Sequence, residues 1–353
     1  MYSEQEIDKL IQPIVDRQIE INTFVITKLA ERIQRIGELL PSDVHTLEQL
    51  AKTGADVRVI NNKLAQLTKL QLTDIKRVIK DVAQNVYQDA KPFYDYRQKP
   101  FIPMKENESV QRVIKAIEKQ TSGTYKNMAK AQAFMVRDPQ NPKVLKPTTV
   151  ARTYQNTVDK AIQAVTSGVT DYNSTMKDSI EELANSGIKA VSYNTETGKV
   201  YTQRMDTAVR RNLMDGITAV QQGVQNEVGK QFGADGVEIS VHICPAPDHQ
   251  FVQGHQFTMK EYAKIASQGT IQVDGSIDNS VYDDMSTKLY DVNGKSYNVF
   301  RRKIGTCNCH HYSFNIIIGQ TSPNYTEEQL KEILKENKQG IKVDGKHYTK
   351  YQD

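Results

Sequence analysis

The chain has no tryptophan and only three cysteines in 353 residues. An odd and sparse set of thiols does not make a disulfide framework, so the expectation is a protein made in a reducing cytoplasm. No apolar run approaches the ~20 residues that cross a bilayer, and no membrane partner is expected. The opening "MYSEQEIDKL" lacks a basic segment followed by an apolar one, so no secretory leader is expected either. Absent too are G-x-x-x-x-G-K-[ST], G-x-G-x-x-G behind a strand, H-E-x-x-H and G-x-S-x-G, which leaves nucleotide-driven chemistry without support. No RGG, RRM or zinc-finger pattern is present.

What is present describes a soluble protein with much polar surface, at 38% hydrophobic and 25% charged residues. The length suggests two or so domains. Net charge is a bland +4, but it is unevenly placed: residues 1–50 carry a net −4, residues 51–150 a net +10 and the remainder a net −2. A basic middle segment is either the solvated face of long helices or a footprint for nucleic acid or an acidic surface.

The first half reads as helix. Ser3 and Glu6 form a capping box, and Ile7, Ile11, Ile14, Val25, Leu29 and Ile36 recur at helical spacing, with Pro13 predicting a start or a kink. A break at Pro41 with a cap at Ser42 or Asp43 precedes a second amphipathic stretch over 56–90, marked by Val57, Ile60, Leu64, Leu67, Leu70, Ile75, Ile79 and Val82. These faces are long enough to predict burial against a partner. Proline-rich connectors are expected at 89–109 and 137–147, with helix over 108–133 interrupted near Ser122-Gly123. A helical pair over 151–168 and 171–185 ends at Gly187, a left-handed cap.

From residue 188 the pattern changes. A hairpin turning at Thr197-Gly198 leads to an amphipathic helix with Met205, Val209, Leu213, Ile217, Val220, Val224 and Val228 on one face, then a strand at 236–243. Asp274-Gly275, Asn293-Gly294 and Asp344-Gly345 are hairpin cues, and Thr326 with Gln329 opens a last helix that ends at Gly340. The fold class is therefore α+β. A long-helix N-terminal region, 1–187, serves assembly or docking, and a compact α+β domain with short strands, 188–353, carries the Cys and His residues.

Those residues sit in "VHICPAPDHQFVQGHQF" (241–257) and "CNCHH" (307–311). If 307–311 is extended, Cys307, Cys309 and His311 share a side and His310 does not. Cys309 and His311 facing His242 and His249 would offer one thiolate and three imidazoles, a tetrahedral set suited to structural zinc. The same four can form a metal-free hydrogen-bonded cluster. A third reading makes Cys309 a nucleophile with His242 or His249 as base. Asp206 and Arg210 stand at i, i+4, an ion-pair spacing worth ~0.2–0.5 kcal/mol on a helix.

Several blocks, in order, resemble the phage minor capsid protein 2 family, whose members are minor head proteins of tailed phages of Gram-positive bacteria, distantly similar to Mu F-like head proteins. They are "AIEKQTSGTYKNM" (116–128), the 167–217 segment with Asp206 and Arg210, "VEISVHICPAPDHQFVQG" with His242, Pro247, His249, Gln253 and Gly254, and "CNCHHYSFNIIIGQTSPNYTEEQL". Ala246, Val252 and His310 depart from the family pattern, which has Arg, Trp and Arg there. The resemblance implies a structural protein, not an enzyme, of the virion. It would sit at or near the portal inside the head and assist head assembly, DNA packaging or ejection. Its implied partners are the portal protein, sister copies, the major capsid protein and packaged double-stranded DNA contacting residues 51–150. The alternative is a phage-carried hydrolase or nuclease centred on His242, His249 and Cys309.

Overall fold

A computed structural model of the chain describes residues 2, 4–138, 140–167, 172–193, 200–241, 249, 252–266, 289–292, 295–298, 311–339, 341–343 and 346–348. Ser3, the Thr197-Gly198 and Asp274-Gly275 turns and Gly340 lie outside them.

Helix α1, Glu4–Gly37, continues through Pro13, and α2 spans Val44–Ala51. Asp43 is the residue before α2, but its carboxylate accepts from the Leu40 amide at 2.8 Å instead of capping the helix. Helix α3 is Gly54–Asp89, α4 is Lys91–Tyr96 and α5 is Glu108–Lys130. The expected interruption at Ser122-Gly123 is corrected: α5 is continuous there. A serine and a glycine together disfavour helix by only ~1–1.5 kcal/mol, and buried Thr121, Ser122 and Tyr125 hold this turn in place. The apolar stripe of α1 is buried throughout within the chain, from Ile7 to Ile36. The prediction that this face needs a partner for its burial is thereby corrected. The α3 stripe is buried at Ile60, Leu67, Ile75, Ile79 and Val82, whereas Leu70 is 46% exposed and the buried neighbour is Gln71.

Two compact units emerge, each built from separated runs of sequence. One holds Asp8–Val78 and Glu118–Met214; the other holds Met1–Ile7, Ile79–Ile117 and Asp215–Asp353.

The first of these units contains a four-stranded antiparallel sheet in the order β2-β1-β3-β4. Strands β1 (Gln132–Asp138) and β2 (Asn141–Thr149) form a hairpin with Ala133 opposite Thr149. Residues 137–138 and 141–147 are therefore strand, where a connector is expected, and the region before 188 is not wholly helical. Pro142 and Pro147 are tolerated because β2 is an edge strand, where a missing N–H costs no ladder bond. Helices α6 (Val150–Thr166) and α7 (Tyr172–Ser186) pack on this hairpin. Gly187, at φ +63°, ends α7 as expected. Strands β3 (Lys189–Tyr193) and β4 (Val200–Arg204) complete the sheet.

Some buried polar groups inside this unit pair across helices. The Gln71 amide donates to the Ile14 carbonyl at 3.0 Å and accepts from the Tyr125 hydroxyl. Burial pushes the Tyr125 hydroxyl up to about 12. Asp56 accepts from Tyr154 at 2.7 Å and from Arg32. Burial would raise the Asp56 carboxyl, but the Tyr154 and Arg32 hydrogen bonds outweigh it and hold the group below the usual carboxylate range.

The second unit gathers around the part of α8 (Met205–Phe232) from Asp215 onward; the predicted face of the whole helix is buried at all seven positions. Residues from the 89–109 segment pack on its end: Phe93 stacks on Phe232 at 5.0 Å, and Tyr94 meets Phe232 and Phe101 edge-on. Tyr94 and Asn107 both donate to the Gln231 side chain, at 2.6 and 2.8 Å. Strand β5 (Gly236–Ile239), buried at every position, lies between β6 (Gln256–Thr258) and a later strand, Ser313–Ile316. Helix α9 (Met259–Ala266) follows β6. Strands β7 (Leu289–Val292) and β8 (Lys295–Asn298) pair with Val292 opposite Lys295, on either side of Asn293-Gly294. Ser313–Ile316 is β9, and α10 (Glu327–Gln339) opens with the expected capping box: Thr326 and Gln329 exchange hydrogen bonds at 2.8 and 3.3 Å. Strands β10 (Ile341–Val343) and β11 (Lys346–Tyr348) pair on either side of Asp344-Gly345.

Candidate functional site

His249 and Gln253 of the 241–257 stretch and His311 of the 307–311 stretch are brought together by backbone ladders around β5. The His249 carbonyl accepts from the amides of Val252 and Gln253, both at 3.1 Å, closing a turn. The Gly254 amide then donates to the Ile239 carbonyl at 2.7 Å, which ties that turn to the end of β5. On the other edge, Ser240 and Tyr312 are linked by Ser240 N–H to the Tyr312 carbonyl at 2.9 Å. The Tyr312 amide in return donates to the Ser240 hydroxyl at 3.1 Å. His311 is thereby set beside the 249–254 turn.

The two imidazoles meet edge to face, with ring centroids 5.1 Å apart and planes at 86°. Both are buried, His249 at 1% and His311 at 0% exposure. His311 Nε2 lies 3.2 Å from the Gln253 side-chain oxygen. An amide oxygen only accepts, so this contact is a hydrogen bond in the tautomer with Nε2 protonated, which in a neutral ring leaves the lone pair on Nδ1. That is the arrangement in which an outer residue orients an imidazole for a metal. Of the four proposed ligands, His249 and His311 are thus adjacent, while His242 and Cys309 lie outside the described residues, as do Cys307 and His310. Among the described residues no group of three His, Cys, Asp or Glu side chains is gathered as a metal would need.

Gly254 is required by the turn. Its φ is +74°, and a Cβ there would stand 2.3 Å from Leu330 Cδ2 and 3.1 Å from Val241 Cγ2. Buried Val252 lies in the same turn. Asp206 and Arg210 have different partners from those their spacing suggests. Asp206 pairs with Arg204 at 3.1 Å, and Arg210 with Asp8 at 2.7 Å.

Sequence reasoning overlooks Glu238, a carboxylate only 1% exposed in the middle of β5. It accepts from the Gln256 amide at 2.8 Å and from the Asn324 side chain at 2.5 Å. It so ties β6 and the segment before α10 to the central strand. The signal was a lone acidic residue within "GVEIS", an otherwise apolar strand in which a charged group is tolerated only if fully hydrogen-bonded.

A family model described as phage minor capsid protein 2 matches residues 3–352. The chain belongs to that family. No curated protein and no solved structure matches it. Family membership makes it a minor capsid protein of a bacteriophage, a structural protein of the virion. Among the described residues no helix is long and apolar enough to cross a membrane.

Proposed function

We propose that this minor capsid protein sits at or near the portal inside the phage head and assists head assembly, DNA packaging or ejection. The observation that carries this reading is the family match over nearly the whole chain. Its partners are the portal protein, sister copies, the major capsid protein and packaged duplex DNA. Ile19 on α1 and Val59 and Leu70 on α3 are exposed apolar residues available to such partners.

The His249–His311 pair serves stability in this reading. Together with His242 and Cys309 it staples the C-terminal strands, with a structural zinc ion or by hydrogen bonds alone. Full burial suits a staple better than a catalytic base, which must reach substrate, so the hydrolase or nuclease alternative gains nothing from the geometry. Quantitative mass spectrometry of purified heads, with cryo-EM of the portal vertex, tests the proposal. Density for α1 and α3 at the vertex is the expected result; absence of the protein from DNA-filled and empty heads alike would refute it.

A further inference from the structure

We infer that one face of α5 is a sequence-independent contact for the phosphate backbone of duplex DNA. This rests on the reading of the protein as a head component exposed to packaged DNA, and narrows the basic 51–150 segment to a single surface. Arg112, Lys115, Lys119, Lys126 and Lys130 are all exposed. At 3.6 residues per turn they fall within a sector of about 60° and span about 27 Å of helix. The opposite side of the same helix is the packed one, bearing buried Val110, Ile114, Thr121 and Tyr125. Glu118 stands off the stripe and is held by Lys76 at 3.1 Å. Among the described residues none of the five cations is engaged in an ion pair. Glu108, in the first turn, is the one acidic residue in line with them.

The rest of this face is small or polar: Ala116, Gly123 and Asn127 lie between the cations. An interface with another protein ordinarily needs an aromatic or large apolar anchor, and this stripe has none. A polyanion needs only regularly spaced charge, and duplex DNA offers one phosphate per ~1.7 Å of axis. Gly123 adds a separate observation. Glycine inside a helix costs about 1 kcal/mol relative to alanine, and a Cβ there would meet nothing within 4 Å. Packing therefore does not ask for it, whereas a bare backbone between cations lets a phosphate chain approach closely.

The test is anisotropy of a labelled duplex titrated with the full-length protein over a range of NaCl concentrations. Five phosphate contacts predict a slope of log K against log salt of about −4 to −5, falling to about −2 in Lys119→Gln/Lys126→Gln/Lys130→Gln. Lys52→Gln/Arg58→Gln/Lys69→Gln removes the same charge elsewhere and should leave the slope near wild type. Equal losses in both variants, no binding at low salt, or equally tight binding to polyglutamate would each overturn the assignment, the last in favour of an acidic protein surface. Copies per purified head are counted in parallel. Wild-type protein that enters heads but does not bind duplex sinks the stripe alone, while protein absent from heads sinks the head reading.

Discussion

Replacing Gly254 by alanine tests the geometry of the histidine turn at its tightest point. Two effects combine. An L-residue at φ +74° sits in the left-handed region, at about 1–2 kcal/mol for alanine. The new methyl would also lie 2.3 Å from Leu330 Cδ2 and 3.1 Å from Val241 Cγ2. Leu330 is half-buried on α10 and can turn aside, so the crowding is placed at the low end of overpacking, about 1 kcal/mol. The sum, about 2–3 kcal/mol, corresponds to a fall of roughly 4–12 °C in Tm for a folding unit of this size. With no tryptophan in the chain, near-ultraviolet circular dichroism of the tyrosines and calorimetry are the suitable readouts. Adding Leu330→Ala to Gly254→Ala should recover the crowding share and leave the backbone share. A Tm within about 1 °C of wild type for Gly254→Ala would refute the reasoning, as would full recovery in the double variant.

Gly123→Ala should act in the opposite sense, raising stability by about 0.5–1 kcal/mol, because nothing stands where its methyl would go; a lower urea midpoint would contradict this. Asp56→Asn should lower the urea midpoint at pH 7. Because the native carboxyl titrates below its ordinary value, its contribution is present above the ordinary carboxylate range and is lost as pH falls through the native value. The gap between wild type and variant should therefore narrow below about pH 4, and an equal gap at pH 3 and pH 7 would remove the ionic part of the argument. Cys309→Ser should destabilise the protein more than Cys307→Ser, and if zinc is the staple it should also lose metal by elemental analysis while Cys307→Ser retains it. Equal effects of the two substitutions would dissolve the four-residue cluster.

Much of the local structure was legible because its causes are local. Apolar spacing alone placed the seven buried residues of α8 and the stripe of α1. Thr326 and Gln329 announced their reciprocal cap, and Asn-Gly announced the β7–β8 hairpin. The blocks that resemble the family point to His242, His249, Cys309 and His311, and of these His249 and His311 are described and lie ring to ring. Tertiary structure decided what depends on residues far apart in the chain. Two prolines argue against a strand at 141–149 until its position at the sheet edge is known, since only there is the missing N–H harmless. Leu70 is exposed and Gln71 buried, against the hydrophobic order, because the Ile14 carbonyl and the Tyr125 hydroxyl complete the glutamine's hydrogen bonds. Asp206 and Arg210 suit each other by spacing, yet an i, i+4 pair is worth so little that Asp206 pairs with its near neighbour Arg204, and Arg210 is taken by Asp8, which only the fold brings near. Glu238 can be interior only because Gln256 and Asn324 converge on it. A buried carboxylate without such donors would be too costly to fold around.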